Sequence, residues 1–356
     1  MEGENMKLLI AGGAIWKVGE IFEQMVELAG GRGSRIGVIP LASGSPYETW
    51  NKYRKLFEIY GAKPIIIDIT EKNYREKVCS KEIVEKIINS NGIFFTGGIQ
   101  RRIIEALIDE NEGETPALKA IRKVYLEGRL IAGSSAGAAV MSNPMIYGGL
   151  DSDVKIGRGL GFLMDGRMIV DQHFIQRGRL TRLIEALRKT EVKLGIGIDE
   201  ETAMIVEDET GKIIGKSSTI LLERIDEDNF RLTYLSRGDE VDLDNLDVKV
   251  SRRKKPVKRR EERKKYYIID LSTPRGIYMA LKALSEMVKE HVEAYVLRLL
   301  NERGEVREGY AYKFRLERKG ETEFFEGEDD FEKYQRLTAI NVYLHVERKP
   351  FKIIFK

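Results

Sequence analysis

The chain predicts an α/β architecture, a mostly parallel sheet flanked by helices. Two patterns carry that prediction. Short apolar runs alternate with amphipathic stretches through about the first 205 residues, a β-α-β-α rhythm. Several of those runs (LLIAG, IGVIP, IIIDI, IFFTGG) are almost continuously apolar, as strands covered on both faces are. In chain order, strands are expected at Lys7–Ala11, Arg35–Ile39, Pro64–Ile69, Gly92–Phe95, Leu130–Ala132, Met168–Val170, Gly195–Ile198 and Thr202–Val206. The amphipathic stretches Ile15–Leu28, Pro46–Tyr60, Lys81–Asn89, Ile99–Ile108 and Thr115–Glu127 supply the helices. Open sheets of this kind bind ligands beyond the carboxyl ends of their strands, so the residues just after each strand are the ones to search for chemistry.

Past Val206 the pattern changes. Lys212–Arg224 and Arg231–Asp242 read as antiparallel strands that finish a first domain, residues 1–250. Arg252–Lys265 holds ten Lys or Arg against two Glu, a local excess of eight charges in a chain whose net charge is +3, so the remainder carries −5. A segment that charged is expected to stay exposed, and residues 251–265 are read as a basic linker. Thr273–Asn301, with Pro274 in its first turn, has a helix signature, and Tyr310–Arg318, Glu321–Glu326 and Asn341–Phe355 alternate like strands. Residues 266–356 are thus expected to form a small α+β domain.

At 356 residues and 42% hydrophobic, the chain has ample material for packed cores. It contains no apolar run of 18 residues, so no membrane span is expected. MEGENMKLLIAGGA lacks the basic region and apolar stretch of an export signal. Cys79 is the single cysteine, which excludes an intramolecular disulfide and fits a reducing compartment; a cytoplasmic location is expected.

The strongest chemical signal is Leu130-Ile131-Ala132-Gly133-Ser134-Ser135-Ala136-Gly137-Ala138-Ala139. Gly-x-Ser-x-Gly following an apolar strand and opening a stretch of small residues is the setting of a nucleophile elbow. The turn is so tight that only glycine or alanine fits beside the serine, and the N–H of the next residue, Ala136, can face a developing oxyanion. Ser135 is the candidate nucleophile.

Of three histidines, His291 and His345 fall in C-terminal patterns that suggest no chemistry, whereas His173 comes just after the apolar run Met168–Val170 and is the candidate general base. The acids Asp199, Glu200 and Glu201 follow another strand, and spacing does not choose among them. Thr96-Gly97-Gly98 ends a further strand and offers backbone N–H groups near Gly98.

Together these strand ends resemble the cyanophycinase family, relatives of the aspartyl dipeptidases called peptidase E. The matching stretches are FFTGGIQ (94–100), GSSAGA (133–138), DQHFIQRGR (171–179) and GIGIDEETA (195–203), within a resemblance covering roughly residues 6–240. The resemblance implies a flavodoxin-like or class I glutamine-amidotransferase-like sheet, and a Ser-His-acid triad that hydrolyses peptide bonds of aspartyl residues. Cyanophycinases cleave multi-L-arginyl-poly-L-aspartate to β-Asp-Arg dipeptides. By position the resemblance makes Ser135 the nucleophile, His173 the base and Glu200 the third member, with Asp199 the alternative. It places Gln100, Asp171, Gln172, Arg177, Arg179 and Arg182 along the substrate pocket and gives the oxyanion hole to Gly98 and Ala136. It also implies a homodimer. Guanidinium groups suit a substrate rich in carboxylates, and Asp171 suits a substrate arginine.

The resemblance says nothing about residues 250–356, and the pocket loops such as Asn143–Ile156 are unmatched in detail. Hydrolysis of α-aspartyl dipeptides or other acidic peptides is therefore the close alternative. A binding protein with a nucleic-acid-contacting basic arm is the non-enzymatic one. Against that arm, aromatics do not interleave with the charges before Tyr266 and Tyr267, and no nucleic-acid-binding motif surrounds them. Scattered histidines and a single cysteine form no metal-ligand cluster, and Gly31-Arg32-Gly33 lacks dinucleotide-motif spacing. Neither a metal nor a cofactor is expected.

Overall fold

The computed structural model describes residues 6–109, 113–164, 166–258, 269–273, 275–286, 291–299, 306–327 and 336–354. Its first sheet is built on β1 (Lys7–Ala11), β2 (Arg35–Ile39), β3 (Lys63–Ile66), β4 (Gly92–Phe95) and β5 (Leu130–Ser134). These five run parallel in the spatial order β1-β5-β4-β2-β3. Leu8 and Ile10 of β1 enter one apolar cluster and Leu9 and Ala11 the other, so the strand is buried on both faces. That is why its sequence is nearly all apolar rather than alternating. Helices Gly19–Leu28, Pro46–Ile59, Lys81–Ile88, Gln100–Leu107 and Pro116–Leu126 connect the strands, each within two residues of the expected bounds apart from the start of the first, where Ile15–Lys17 is a separate 3₁₀ turn.

β6 (Met168–Gln172) and β7 (Leu194–Ile198) pair in parallel with each other but belong to a second sheet. β8 (Thr202–Glu207) crosses back to pair antiparallel with β1, and β9 (Thr210–Gly215) extends that edge of the first sheet. β10 (Ser218–Arg224) and β11 (Asn229–Ser236) return to the second sheet. β11 then pairs with the C-terminal strand Leu337–Ile354, with one register shift between Leu232 and Tyr234, so a hydrogen-bond ladder joins the two sides of the boundary expected near residue 250.

Two expectations need correction. The helix expected over 273–301 is shorter: it spans Gly276–Glu286, and His291–Leu299 is a strand paired with Val306–Glu317. In HVEAYVLRL, Val292, Ala294 and Val296 are buried while Glu293 and Leu297 are exposed, the period of two that a pleated strand imposes. Pro274 lies outside the described residues.

The basic segment is not wholly exposed. Lys254 begins a short strand, Lys254–Pro256, and its Nζ is fully buried, 2.7 Å from Asp239 Oδ2 and hydrogen-bonded to Ser236 Oγ (2.7 Å) and Thr338 Oγ1 (2.9 Å). Charge alone did not exclude burial because Asp239 supplies a counter-ion. Residues 259–265 of the segment lie outside the described residues. Replacing Lys254 by methionine leaves the Asp239 carboxylate buried without its cation and should lower stability by about 3–5 kcal/mol. Urea denaturation reads this directly, and a loss below about 1 kcal/mol would show that the remaining hydrogen bonds carry the site.

Among the described residues no helix is long and apolar enough to cross a membrane.

Candidate active site

The carboxyl ends of β1, β4 and β5 lie side by side, with Ala11 opposite Ser134 and Phe95 opposite Gly133. The chain leaves β5 through Ser135, whose φ of 55° and ψ of −111° are strained for a residue with a side chain. Such a conformation costs on the order of 1–3 kcal/mol and persists only where the surroundings fix it. Here they do. A Cβ on Gly133 would lie 2.2 Å from the Gly137 carbonyl oxygen, and one on Gly137 would lie 2.3 Å from that of Phe95. Ser135 N–H donates to Ala11 O at 2.9 Å, and below it Ser134 is buried as the last residue of β5.

β6 and β7 of the second sheet deliver the remaining groups to the same place. Gln172, the last residue of β6, is paired with Ile198, the last of β7, so His173 and the acids after Ile198 emerge together. His173 Nε2 stands 2.8 Å from Ser135 Oγ, and His173 Nδ1 stands 2.6 Å from Glu200 Oε1. Burial lowers the imidazole's affinity for a proton below its ordinary value, against the opposing hydrogen bond to Glu200, with Arg177 adding to the lowering.

Glu200, and not Asp199 or Glu201, is the acid that meets His173. Asp199 is fully buried and points the other way, accepting from Ile175 N (3.0 Å), Ser217 Oγ (2.7 Å), Ser218 N (3.1 Å) and Ser218 Oγ; burial raises it to about 6. Glu201 pairs with Lys17 at 3.0 Å on the rim.

Two contributors escaped the sequence reading. Gly12 and Gly13 join the sheets at the site: His173 N–H donates to Gly12 O (2.8 Å) and Glu201 N–H to Gly13 O (2.8 Å). Gly13 has a φ of 125°, and a Cβ there would lie 2.2 Å from His173 Cε1. The signal was present in LLIAGGA, a glycine pair at the carboxyl end of the first strand. Gln176 is the other: its Oε1 accepts the Glu200 N–H at 3.0 Å and fixes the loop that carries the acid.

The residues placed along the pocket divide into two groups. Asp171 is buried and forked by Arg182, whose Nε lies 2.8 Å from Oδ2, and also takes Arg179 at 3.3 Å. Arg179 and Arg182 are themselves buried, and burial brings Arg179 down to about 10, still protonated at neutral pH. These three therefore form an internal network rather than an open cationic wall. Arg177 alone of the three arginines is exposed, with no ion-pair partner among the described residues. Gln172 Oε1 is 3.4 Å from Ser135 Oγ, and Gln100 Nε2 donates to Ile146 O at 3.0 Å, bracing the 145–157 hairpin. Gly97 packs against Ser135, placing the Gly97-Gly98 turn beside the hydroxyl, with Ala136 at the first helical position on its other side. Among the described residues no group of three or more His, Cys, Asp or Glu is arranged to hold a metal ion.

The sequence profile of Peptidase family S51 matches residues 8–214. A cyanophycinase of Geminocystis herdmanii is 36% identical over 255 residues, covering 67% of this chain and 88% of its own. One of Nostoc sp. is 36% identical over 263 residues, covering 66% and 85%. Among solved structures, a peptidase from an acI-B1 Actinobacterium superposes with a TM-score of 0.55 at 21% identity, over 67% of this chain and 98% of its own, a likeness of fold.

Proposed function

The chain belongs to peptidase family S51 and is a serine peptidase, and from that premise we propose that it is an exopeptidase hydrolysing aspartyl and β-aspartyl peptide bonds with Ser135 as nucleophile. The observation that carries the reading is the continuous hydrogen-bonded chain Ser135–His173–Glu200 at the mouth of a strained elbow. In the proposed reaction His173 Nε2 takes the Ser135 proton as Oγ attacks the scissile carbonyl. Glu200 holds the Nδ1–H tautomer and stabilises the imidazolium that forms. Backbone N–H groups at Gly98 and Ala136 receive the oxyanion. The imidazolium then protonates the leaving amine, and water, deprotonated by the same histidine, releases the acyl group.

In this reading Arg177, exposed and with no ion-pair partner among the described residues, meets a substrate carboxylate. Asp171, Arg179 and Arg182 shape the loop behind it, and Gln172 and Gln100 wall the pocket. The relatives named cyanophycinase make the β-aspartyl bonds of cyanophycin the first substrate to try. Incubation with cyanophycin should release β-Asp-Arg, detected by mass spectrometry. Turnover of α-aspartyl dipeptides with no β-Asp-Arg would move the assignment to the dipeptidase branch, and hydrolysis of neither would refute the proposal.

The pH dependence follows from the histidine. Only neutral imidazole can accept the serine proton, and burial depresses its protonation. kcat/KM should therefore rise with pH through a midpoint below about 6.5 and be level at neutrality. An acid limb centred above that value would contradict the burial assigned to His173.

A further inference from the structure

The C-terminal segment lies beyond the family match, which ends at residue 214, yet it packs against the back of the loop that carries His173. That loop turns through the left-handed region twice, at His173 (φ 49°), where a side chain makes it strained, and at Gly178 (φ 56°), where glycine allows it. A Cβ on Gly178 would lie 2.4 Å from the Ser272 carbonyl oxygen, so the segment's backbone presses directly on the turn between Arg177 and Arg179. Phe174 and Ile175 of the loop share one apolar cluster with Leu271, Ile277, Leu281 and Tyr312.

The helix Leu180–Lys189 connects the two sides. Arg182 on this helix forks Asp171, whose Oδ1 accepts the Gln172 N–H at 2.8 Å one residue before His173. One turn further, Glu185 is buried with both carboxylate oxygens engaged. Oε1 takes Arg188 Nη1 at 2.9 Å, and Oε2 takes Arg348 Nη1 at 2.7 Å from the C-terminal strand. Arg188 also donates to Val346 O at 3.2 Å, and the Arg348 guanidinium lies 4.9 Å from the centre of the Tyr310 ring. A buried carboxylate holds its place only while its cations hold theirs, so the helix is fixed from the C-terminal side.

We infer that the described residues between 269 and 354 brace the loop 171–179, and that Arg348, acting through Glu185 and the helix that also carries Arg182, is a positioning residue for His173. The inference rests on the proposed role of His173. A catalytic base displaced by an ångström costs rate steeply, because the Ser135–His173 distance governs proton transfer.

The test uses the full-length protein and four forms: the parent, Arg348→Met, Arg348→Lys, and Lys349→Met as a control for charge loss on the same strand, Lys349 being 76% exposed. A fluorophosphonate probe reports the rate at which Ser135 is modified, and amide hydrogen exchange reports the order of residues 171–179. In Arg348→Met, modification should slow on the order of tenfold, and kcat should fall with it. Exchange over 171–179 should quicken. Arg348→Lys should recover most of the rate, and Lys349→Met should match the parent. A parent-like exchange pattern in Arg348→Met, or a parent-like modification rate, would overturn the inference. If the parent itself is not modified, the proposed function fails, and exchange alone still decides whether the brace exists.

Discussion

Ser135→Ala is expected to lower kcat/KM by about 10⁵–10⁶-fold while the protein folds as before. The size of the loss follows from what remains. His173 and Glu200 stay paired and the Gly98 and Ala136 backbone stays in place, but no group is left to form the acyl intermediate. Ser134 cannot substitute, since it is buried beneath the elbow as the last residue of β5. Folding survives because alanine keeps the small volume that the Gly133–Gly137 contact demands. The variant loses only a hydroxyl whose partner, His173, is held from its other nitrogen by Glu200. Substrate affinity should persist, since the pocket groups do not contact the hydroxyl except through Gln172 at 3.4 Å. Steady-state hydrolysis, with circular dichroism and equilibrium substrate binding on the same preparation, measures all three. Residual activity within about a hundredfold of the parent would place the nucleophile elsewhere.

Much of this site was legible because the residues that build it are constrained locally. An elbow requires glycine at Gly133 and Gly137 for steric reasons that short-range sequence expresses in full. His173 and Glu200 were findable because chemistry in such folds collects where strands end, and both follow apolar runs. The choice among Asp199, Glu200 and Glu201 was not legible in their spacing, and only the family resemblance pointed to Glu200. The choice depends on successive residues pointing to opposite sides as the strand ends, and on Ser217 and Ser218 from another strand being present to absorb Asp199. Asp171, Arg179 and Arg182 were placed along the pocket by the resemblance, and their pairing with one another was not legible for a similar reason. Their pairing is set by how the helix Leu180–Lys189 docks on β6, which is a tertiary fact. The long helix expected through Asn301 failed because the helical pattern of Gly276–Glu286 was carried past its end, although Val292, Ala294 and Val296 have a strand's period of two, which the partner strand Val306–Glu317 takes up. Lys254 was misjudged because a charge run records cations but not the distant Asp239 and Thr338 that bury one of them.

Glu200→Gln should separate the two adjacent acids by function. Glutamine keeps the length of the side chain, but its amide can donate as well as accept. If the amide N–H turns toward His173 Nδ1, the imidazole carries its proton on Nε2 and can no longer accept from Ser135 Oγ. A buried triad loses about 10⁴ in kcat from such a change. Glu200 keeps 29% of its side chain exposed, so water can compete for Nδ1 and a loss of about 10³ is expected. KM should move little, because Glu200 touches the histidine and not the pocket groups. Asp199→Asn should do the reverse. Its carboxylate accepts from Ile175, Ser217 and Ser218, and an amide nitrogen set among those donors leaves at least one of them unsatisfied. That variant should lose about 1–3 kcal/mol of stability while each folded molecule turns over at close to the parental rate. Urea denaturation together with kcat normalised to titrated active sites tells the cases apart. A kinetic defect in Asp199→Asn with a parental Glu200→Gln would exchange their roles. A kinetic defect in both would mean that Asp199, through Ile175 and the loop it holds, reaches the histidine as well.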